Sequence, residues 1–226
     1  RLQLLHGVSP HGTQYTLAAR RDIATGYYTE KSGAGLTLLN FPRQQYRKIG
    51  LVGLGVGTLV SYARYGDAVT IYEIDPEIRR LADERFSYLR DSAAVIDIVM
   101  GDARQSMEQE ADRNFDVLML DAFTGDAIPV HLLTVEAFET YLRHLKHDGV
   151  IAILIDTWHL DLGPIIYRLA LQLDLAAVRV TTAPGPMADW GADWMLLARE
   201  DRFLSVRPIS GEAARRASNR LWTDDY

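Results

Sequence analysis

The stretch KIGLVGLGVGTLVSYARYGDAVTIYEID, residues 48–75, decides how this chain folds. Ile49–Val52 is a short apolar run of the kind that forms a buried strand, and it opens onto glycines at alternate positions, Gly53, Gly55 and Gly57. TLVSYARYG then reads as a helix closed by Gly66, and AVTIYEID as a second strand that ends near Glu73. Glycines between a strand and a helix let the backbone approach a ligand closely and aim helix N-terminal amides at it. Glu73 lies about 20 residues beyond the first glycine, where an acid accepts hydrogen bonds from ribose hydroxyls. A dinucleotide fingerprint needs G-x-G-x-x-G. Here the third glycine falls one residue early and position 58 is Thr58, which favours a nucleoside of the S-adenosylmethionine type.

Working outward, strand and helix keep alternating. PEIRRLADERFSYL is a helix with Pro76 in its first turn, VIDIVMGD a strand, ARQSMEQEA a short helix and FDVLMLDAF a strand. Leu133, Ala137, Tyr141 and Leu145 recur at helical spacing, and KHDG reads as a basic last turn with a glycine stop. VIAILID is a strand, LGPIIYRLALQL a helix, and AVRVTTA with DWMLLARE a closing strand pair. The pattern predicts an α/β chain with a doubly wound, mostly parallel, seven-stranded sheet covered by helices on both sides. Residues 1–47 hold short β-type pieces, LQLLHG, TQYTLAA and GYYT, and read as a small N-terminal β appendage. The nucleoside-binding domain then spans 48–207 and a tail spans 208–226.

Composition narrows the function. The chain has 226 residues, no cysteine and a net charge of −6, with no basic block. Thiolate chemistry is excluded, and a nucleic-acid substrate is disfavoured for want of a cationic footprint. No run approaches the ~18–20 apolar residues of a membrane span. The histidines are scattered without an i, i+4 pair, so no metal site is expected. The chain opens on Arg1 rather than Met and reads as a piece of something longer.

Two strand ends carry acids. In VMGDAR, Asp102 can accept from an adenine amino group or cap the following helix, and the local sequence leaves both open. In FDVLMLDAFTGDAIP, residues 115–129, Asp121 ends a buried strand, where a carboxylate is costly unless something uses it. It faces the crevice where open α/β sheets bind ligands.

Taken together, VGLGVGT, YEIDPE, GDAR, FDVLMLDAFTGDAIP and DGVIAIL resemble the spermidine synthase family of aminopropyltransferases across about residues 48–155. HGTQY, DAFTGDAIPVHLL and WTDDY look like a bacterial branch often fused to membrane-transporter-like segments. The resemblance implies a Rossmann-like (class I methyltransferase-like) sheet, decarboxylated S-adenosylmethionine as donor, methylthioadenosine as product and no metal. It implies that Glu73 holds the ribose, Asp102 the adenine and Asp121 the reacting amine, with Gln14 a nucleoside contact from the appendage. It also implies a small amine or polyamine acceptor, a homodimer, and a cytoplasmic domain whose membrane-embedded part lies outside this chain. Asp126, Asp156, Asp161, Tyr27 and Tyr28 are candidates to line the amine site. Trp158 and His159 in DTWHLDL are placed to face the acceptor, whereas His131 reads as a structural cap at a helix entry.

The sequence departs from the family at Val56, where family members carry a loop aspartate that grips the donor's amine. AFTGDAIP replaces the usual serine-aspartate-proline run. Ordinary S-adenosylmethionine thereby becomes an admissible donor. Small-molecule methyl transfer, or nucleoside or polyamine sensing without turnover, stand as alternatives. The absence of an Asn/Asp-Pro-Pro-aromatic run argues against methylation of nucleobases.

Overall fold

The computed structural model describes residues 1–6, 9–42, 46–122, 128–156, 160–186, 188–206, 209 and 222–224. Strands β1 (Leu2–His6) and β2 (Ser9–Gln14) form an antiparallel hairpin. Strands β3 (Lys48–Val52), β4 (Ala68–Glu73), β5 (Val95–Met100), β6 (Phe115–Leu120), β7 (Leu145–Leu154), β8 (Ala176–Thr182) and β9 (Ala192–Ala198) form one seven-stranded sheet. Its order is β5-β4-β3-β6-β7-β9-β8, with β9 alone running opposite to the other six strands. The expected doubly wound sheet with a small N-terminal β element is therefore present.

The period-2 alternation of the strands divides the core into two layers. Ile49, Leu51, Ile71, Val117, Met119 and Ala152 lie in the layer that holds helix α1 (Gly33–Asn40) and Ala82. Val52, Tyr72, Leu118, Leu120, Ile151 and Ile153 face α4 (Ala103–Gln109), α5 (Val135–His144) and α6 (Gly163–Gln172). The remaining helices are α2 (Pro76–Arg85) and α3 (Tyr88–Asp91). Strand β6 is buried along its whole length because strands flank it and helices cover both its faces.

Of the pieces read as β, TQYTLAA keeps only Thr13 and Gln14 in β2 and runs into a 3-10 turn at Ala18–Arg20, and GYYT holds only an isolated bridge at Gly26. Three further expectations fail for tertiary reasons. GAGLTLLN, inside the stretch read as β, is helix α1. Its glycines weaken the helical signal, but they are required by packing: a Cβ on Gly33 would sit 2.4 Å from Trp194, and one on Gly35 2.3 Å from the Thr29 carbonyl. TLVSYARYG forms only a 3-10 turn over Thr58–Tyr62 before Ala63 turns extended. The Asp67 carboxylate takes the Arg64 N–H at 3.0 Å, and β-branched Thr58 and Val60 give the helix little local support. KHDG lies within β7 rather than in the helix. His144 ends α5 because its buried ring stacks on Phe115 and its Nε2–H donates to the Met107 carbonyl at 2.8 Å. The register jumps from Phe115↔Leu145 to Val117↔Val150, so residues 146–149 bulge from the ladder.

Candidate active site at the carboxyl edge of the sheet

Backbone pairing continues one residue past the central strands. Gly53 N–H donates to the Tyr72 carbonyl at 2.9 Å, Asp121 N–H to Val52 at 2.9 Å, and Gly101 N–H to Glu73 at 2.8 Å. The four sequence motifs consequently stand in a row along one edge: Asp102 after β5, Glu73 on β4, the glycine loop after β3 and Asp121 after β6. Strands lie ~4.8 Å apart, so the row spans about 14 Å, enough for an adenosyl group laid along the edge. Strand order reverses between β3 and β6, where open α/β sheets leave their ligand crevice.

Gly53 has φ 96°, and a Cβ there would stand 2.3 Å from the Asp121 carbonyl. Only glycine permits both the conformation and the approach. Gly55 lies under the His11 carbonyl of β2, and left-handed Gly57 starts the 3-10 turn, so the hairpin roofs the loop. Glu73 is 7% exposed. Its Oε2 accepts from Leu54 N–H at 2.9 Å and its Oε1 from Asp75 N–H at 2.8 Å, which fixes the carboxylate while leaving each oxygen a further lone pair.

Asp102 caps α4 and, with one partner on each oxygen, keeps a lone pair on each for a further donor. Its Oδ1 accepts from Gln105 N–H at 2.9 Å, and its Oδ2 accepts from His131 Nε2–H at 2.8 Å. Burial pushes this carboxyl up, but those hydrogen bonds outweigh it and the net shift is downward. His131 does not cap a helix with its side chain; it clasps Asp102 from a 3-10 turn at Val130–Leu132.

Asp121 lies beside the glycine loop, hydrogen-bonded by the Tyr28 hydroxyl. Burial pushes its carboxyl up to about 7; the Tyr28 hydrogen bond opposes the rise and the Glu73 charge adds to it. Burial and the Asp121 charge hold the Tyr28 phenol well above its ordinary range. Tyr28, Leu51, Leu54, Thr58, Leu59 and Asp121 line a recess against the loop. Tyr27 stands edge-on to Tyr28 and to Trp190, with ring centroids 6.2 and 5.0 Å apart, and Trp194 Nε1–H donates to the Tyr27 carbonyl at 3.1 Å. Trp190 carried no recognised signal, since non-local backbone pairing of Gly26 with Ala188, Asp189 and Trp190 brings it to the tyrosines.

Other candidates are engaged elsewhere. The Gln14 amide is buried, donating to the Arg21 carbonyl at 2.8 Å and Ser87 Oγ at 3.0 Å while accepting from Ser87 N–H at 3.0 Å. It clamps the hairpin to the start of α3 and spends its polar atoms there. Asp161 pairs with Arg179 at 3.1 Å. Asp156 is exposed, and partial burial with the Asp193 charge raises its carboxyl. Asp126, Trp158 and His159 lie outside the described residues. Among the described residues no three His, Asp or Glu side chains are arranged to hold a metal, and no helix is long and apolar enough to cross a membrane.

Val56, the position where the family carries its loop acid, is 1% exposed. Its side chain packs on Gly12 and joins Leu4, Phe86 and Tyr88 in an apolar cluster. Val56→Asp is expected to bury a charge there, costing about 2–3 kcal/mol in urea unfolding without improving use of a decarboxylated donor.

No family model matches the chain. Over 126 residues it is 32% identical to a polyamine aminopropyltransferase of Vibrio vulnificus, covering 55% of this chain and 41% of that one. Over 104 residues it is 34% identical to an N-terminal histidine N-methyltransferase of Emericella nidulans, covering 46% of this chain and 19% of that one. The chain thus spans less than half the length of either relative. In structure it is similar to a protein described as a probable spermidine synthase from Corynebacterium glutamicum, with TM-score 0.55, 24% identity, and coverage of 73% and 61% of the two chains.

Proposed function

We propose that this spermidine synthase-like chain binds an adenosyl sulfonium donor along the carboxyl edge of its sheet and alkylates an amine. The observation that carries the reading is the placement of Asp121 at the end of β6, beside the glycine loop and the Tyr28 hydroxyl, where burial raises its carboxyl. Aminopropyl transfer needs a neutral amine, although the acceptor is protonated at neutral pH. The amine lone pair attacks the carbon next to sulfur; the C–N bond forms as the C–S bond breaks, and its electron pair leaves on sulfur as methylthioadenosine. The amine's excess proton passes to Asp121, whose pKa of about 7 suits a base at physiological pH. Glu73 is set to take ribose hydroxyls and Asp102 the nucleobase amino group, and both carboxylates are pre-oriented by protein N–H donors.

Arg179 Nη1 reaches Asp161 at 3.1 Å, but its Nε and Nη2 are forked on Asp193, so one cation is shared by two carboxylates and the acceptor wall keeps a net negative charge. Tyr27, Tyr28 and Trp190 supply aromatic surface that tolerates a cation.

Methyl transfer from S-adenosylmethionine is the second reading. It is favoured by Val56, which leaves the loop without a carboxylate to select a decarboxylated donor, and by the similarity to a histidine N-methyltransferase. Incubation with each donor and an amine panel, followed by identification of the nucleoside product, separates the readings. Methylthioadenosine formed only with acceptor supports aminopropyl transfer, and S-adenosylhomocysteine supports methyl transfer. Binding without either product would leave a sensing domain. Glu73→Ala is expected to weaken donor binding at least about ten-fold in calorimetry, through loss of a charged hydrogen-bond acceptor.

A further inference from the structure

Residues 222–224, part of the WTDDY motif that the reaction leaves without a role, are fastened to the nucleobase end of the crevice. The Trp222 carbonyl accepts from Val135 N–H at 3.0 Å, and its ring packs on the core layer that contains Leu132 and Leu133. Asp224 N–H donates to Glu136 Oε2 at 3.1 Å, and Asp224 Oδ1 accepts from Thr134 Oγ1 at 2.9 Å. The segment thus lies across the start of α5, whose cap is Thr134.

Arg104 connects this segment to Asp102. Only 12% of its side chain is exposed. Nη1 donates to Asp224 Oδ1 at 2.7 Å and Nη2 to Asp224 Oδ2, a two-pronged fork. The same Nη1 reaches the His131 carbonyl at 2.9 Å and Thr134 Oγ1 at 3.2 Å, while Nε is held by Glu108 at 2.8 Å. An isolated surface ion pair would count for little, but this one is bidentate, sheltered on its arginine side although Asp224 is exposed, and shared among several elements. Its geometric consequence is specific. The fork grips the backbone of His131, and the His131 ring in turn grips Asp102 Oδ2.

We propose that Arg104 and Asp224 are positioning residues for the donor's nucleobase: the docked 222–224 segment sets His131 against Asp102 and thereby makes the site selective for an exocyclic amino group. The inference rests on the donor-site reading above and extends it to residues that touch no reacting atom.

The test compares the 226-residue chain with its variants in binding methylthioadenosine and methylthioinosine, which differ at the base position Asp102 would read. Wild type is expected to prefer the amino form at least about ten-fold. Asp224→Ala and His131→Ala should each bring that preference close to one. The double variant should be no worse than either single change, because both act on one coupled element. Asp224→Glu should recover part of the preference. Arg104→Lys, which keeps the charge but loses the fork, should behave like Asp224→Ala, and it decides the matter if Asp224→Ala melts too early to measure. An unchanged preference in these variants, or equal weakening of both nucleosides, overturns the inference while leaving the donor site standing. Should wild type bind neither nucleoside, the donor-site reading falls and this inference with it.

Discussion

Asp121→Asn lowers turnover by about two to four orders of magnitude, the usual span for removing a general base, and at the same time stabilises the protein at pH 8. Asparagine can still accept the Tyr28 hydrogen bond, so the site keeps its shape. It cannot take a proton. The stability effect follows from the raised folded-state pKa of about 7 against an ordinary 3.8. Between those values the native state holds a proton that the unfolded chain releases, so wild-type stability falls as pH rises from about 4 to about 7. The shift sets a ceiling of about 4 kcal/mol, and crevice solvent lowers the realised gain to about 1–3 kcal/mol. Thermal melts of both proteins from pH 4 to 8 should therefore converge at acid pH and separate at alkaline pH. Wild-type kcat/KM, which reports the free enzyme, should climb to a plateau through an apparent pKa near 7. Parallel melting curves, or an active Asn variant, would remove Asp121 from the role of base.

Asp67→Ala costs about 3–5 kcal/mol, because it strands a guanidinium in the core. Arg47 is 2% exposed, with Nε and Nη2 on Asp67 Oδ2 at 3.1 and 2.6 Å. Its Nη1 donates to the Leu38 carbonyl at 2.5 Å and Nη2 to the Tyr62 carbonyl at 3.0 Å. Asp67 also accepts from the backbone N–H groups of Arg47 and Arg64. One ion pair thus joins α1, the 3-10 turn and the entries of β3 and β4, the two strands whose far ends carry the glycine loop and Glu73. Urea unfolding should show the full loss for Asp67→Ala. Arg47→Met combined with Asp67→Leu should recover only the charge part of it, since the Leu38 and Tyr62 carbonyls and the Arg47 and Arg64 N–H groups still lose their partners. If the double variant is as unstable as the single one, the pair contributes more than charge compensation.

The positions of Gly53, Glu73, Asp102 and Asp121 were legible because each follows from local pattern. An apolar run marks a strand, its polar end marks the edge, and parallel winding puts all such ends on one side. Helix α1 was not legible, since its glycines exist for Trp194 and the Thr29 carbonyl, far from any helical signal. The end of α5 was equally hidden, because a stacked, buried His144 stops it rather than Gly149.

The sequence by itself determined the sheet and the order of motifs along it, both of which rest on period, spacing and backbone freedom. Tertiary structure decided what the polar side chains do. Gln14 is spent on Ser87, Asp161 on Arg179, and Val56 on an apolar cluster, while Asp102 gains His131 and Asp121 gains Tyr28. A hydrogen-bonding group takes whatever partner the fold delivers, and these partners come from elsewhere in the chain. Local pattern can place a carboxylate at an edge, but burial and non-local donors determine whether it is a cap, a clamp or a base.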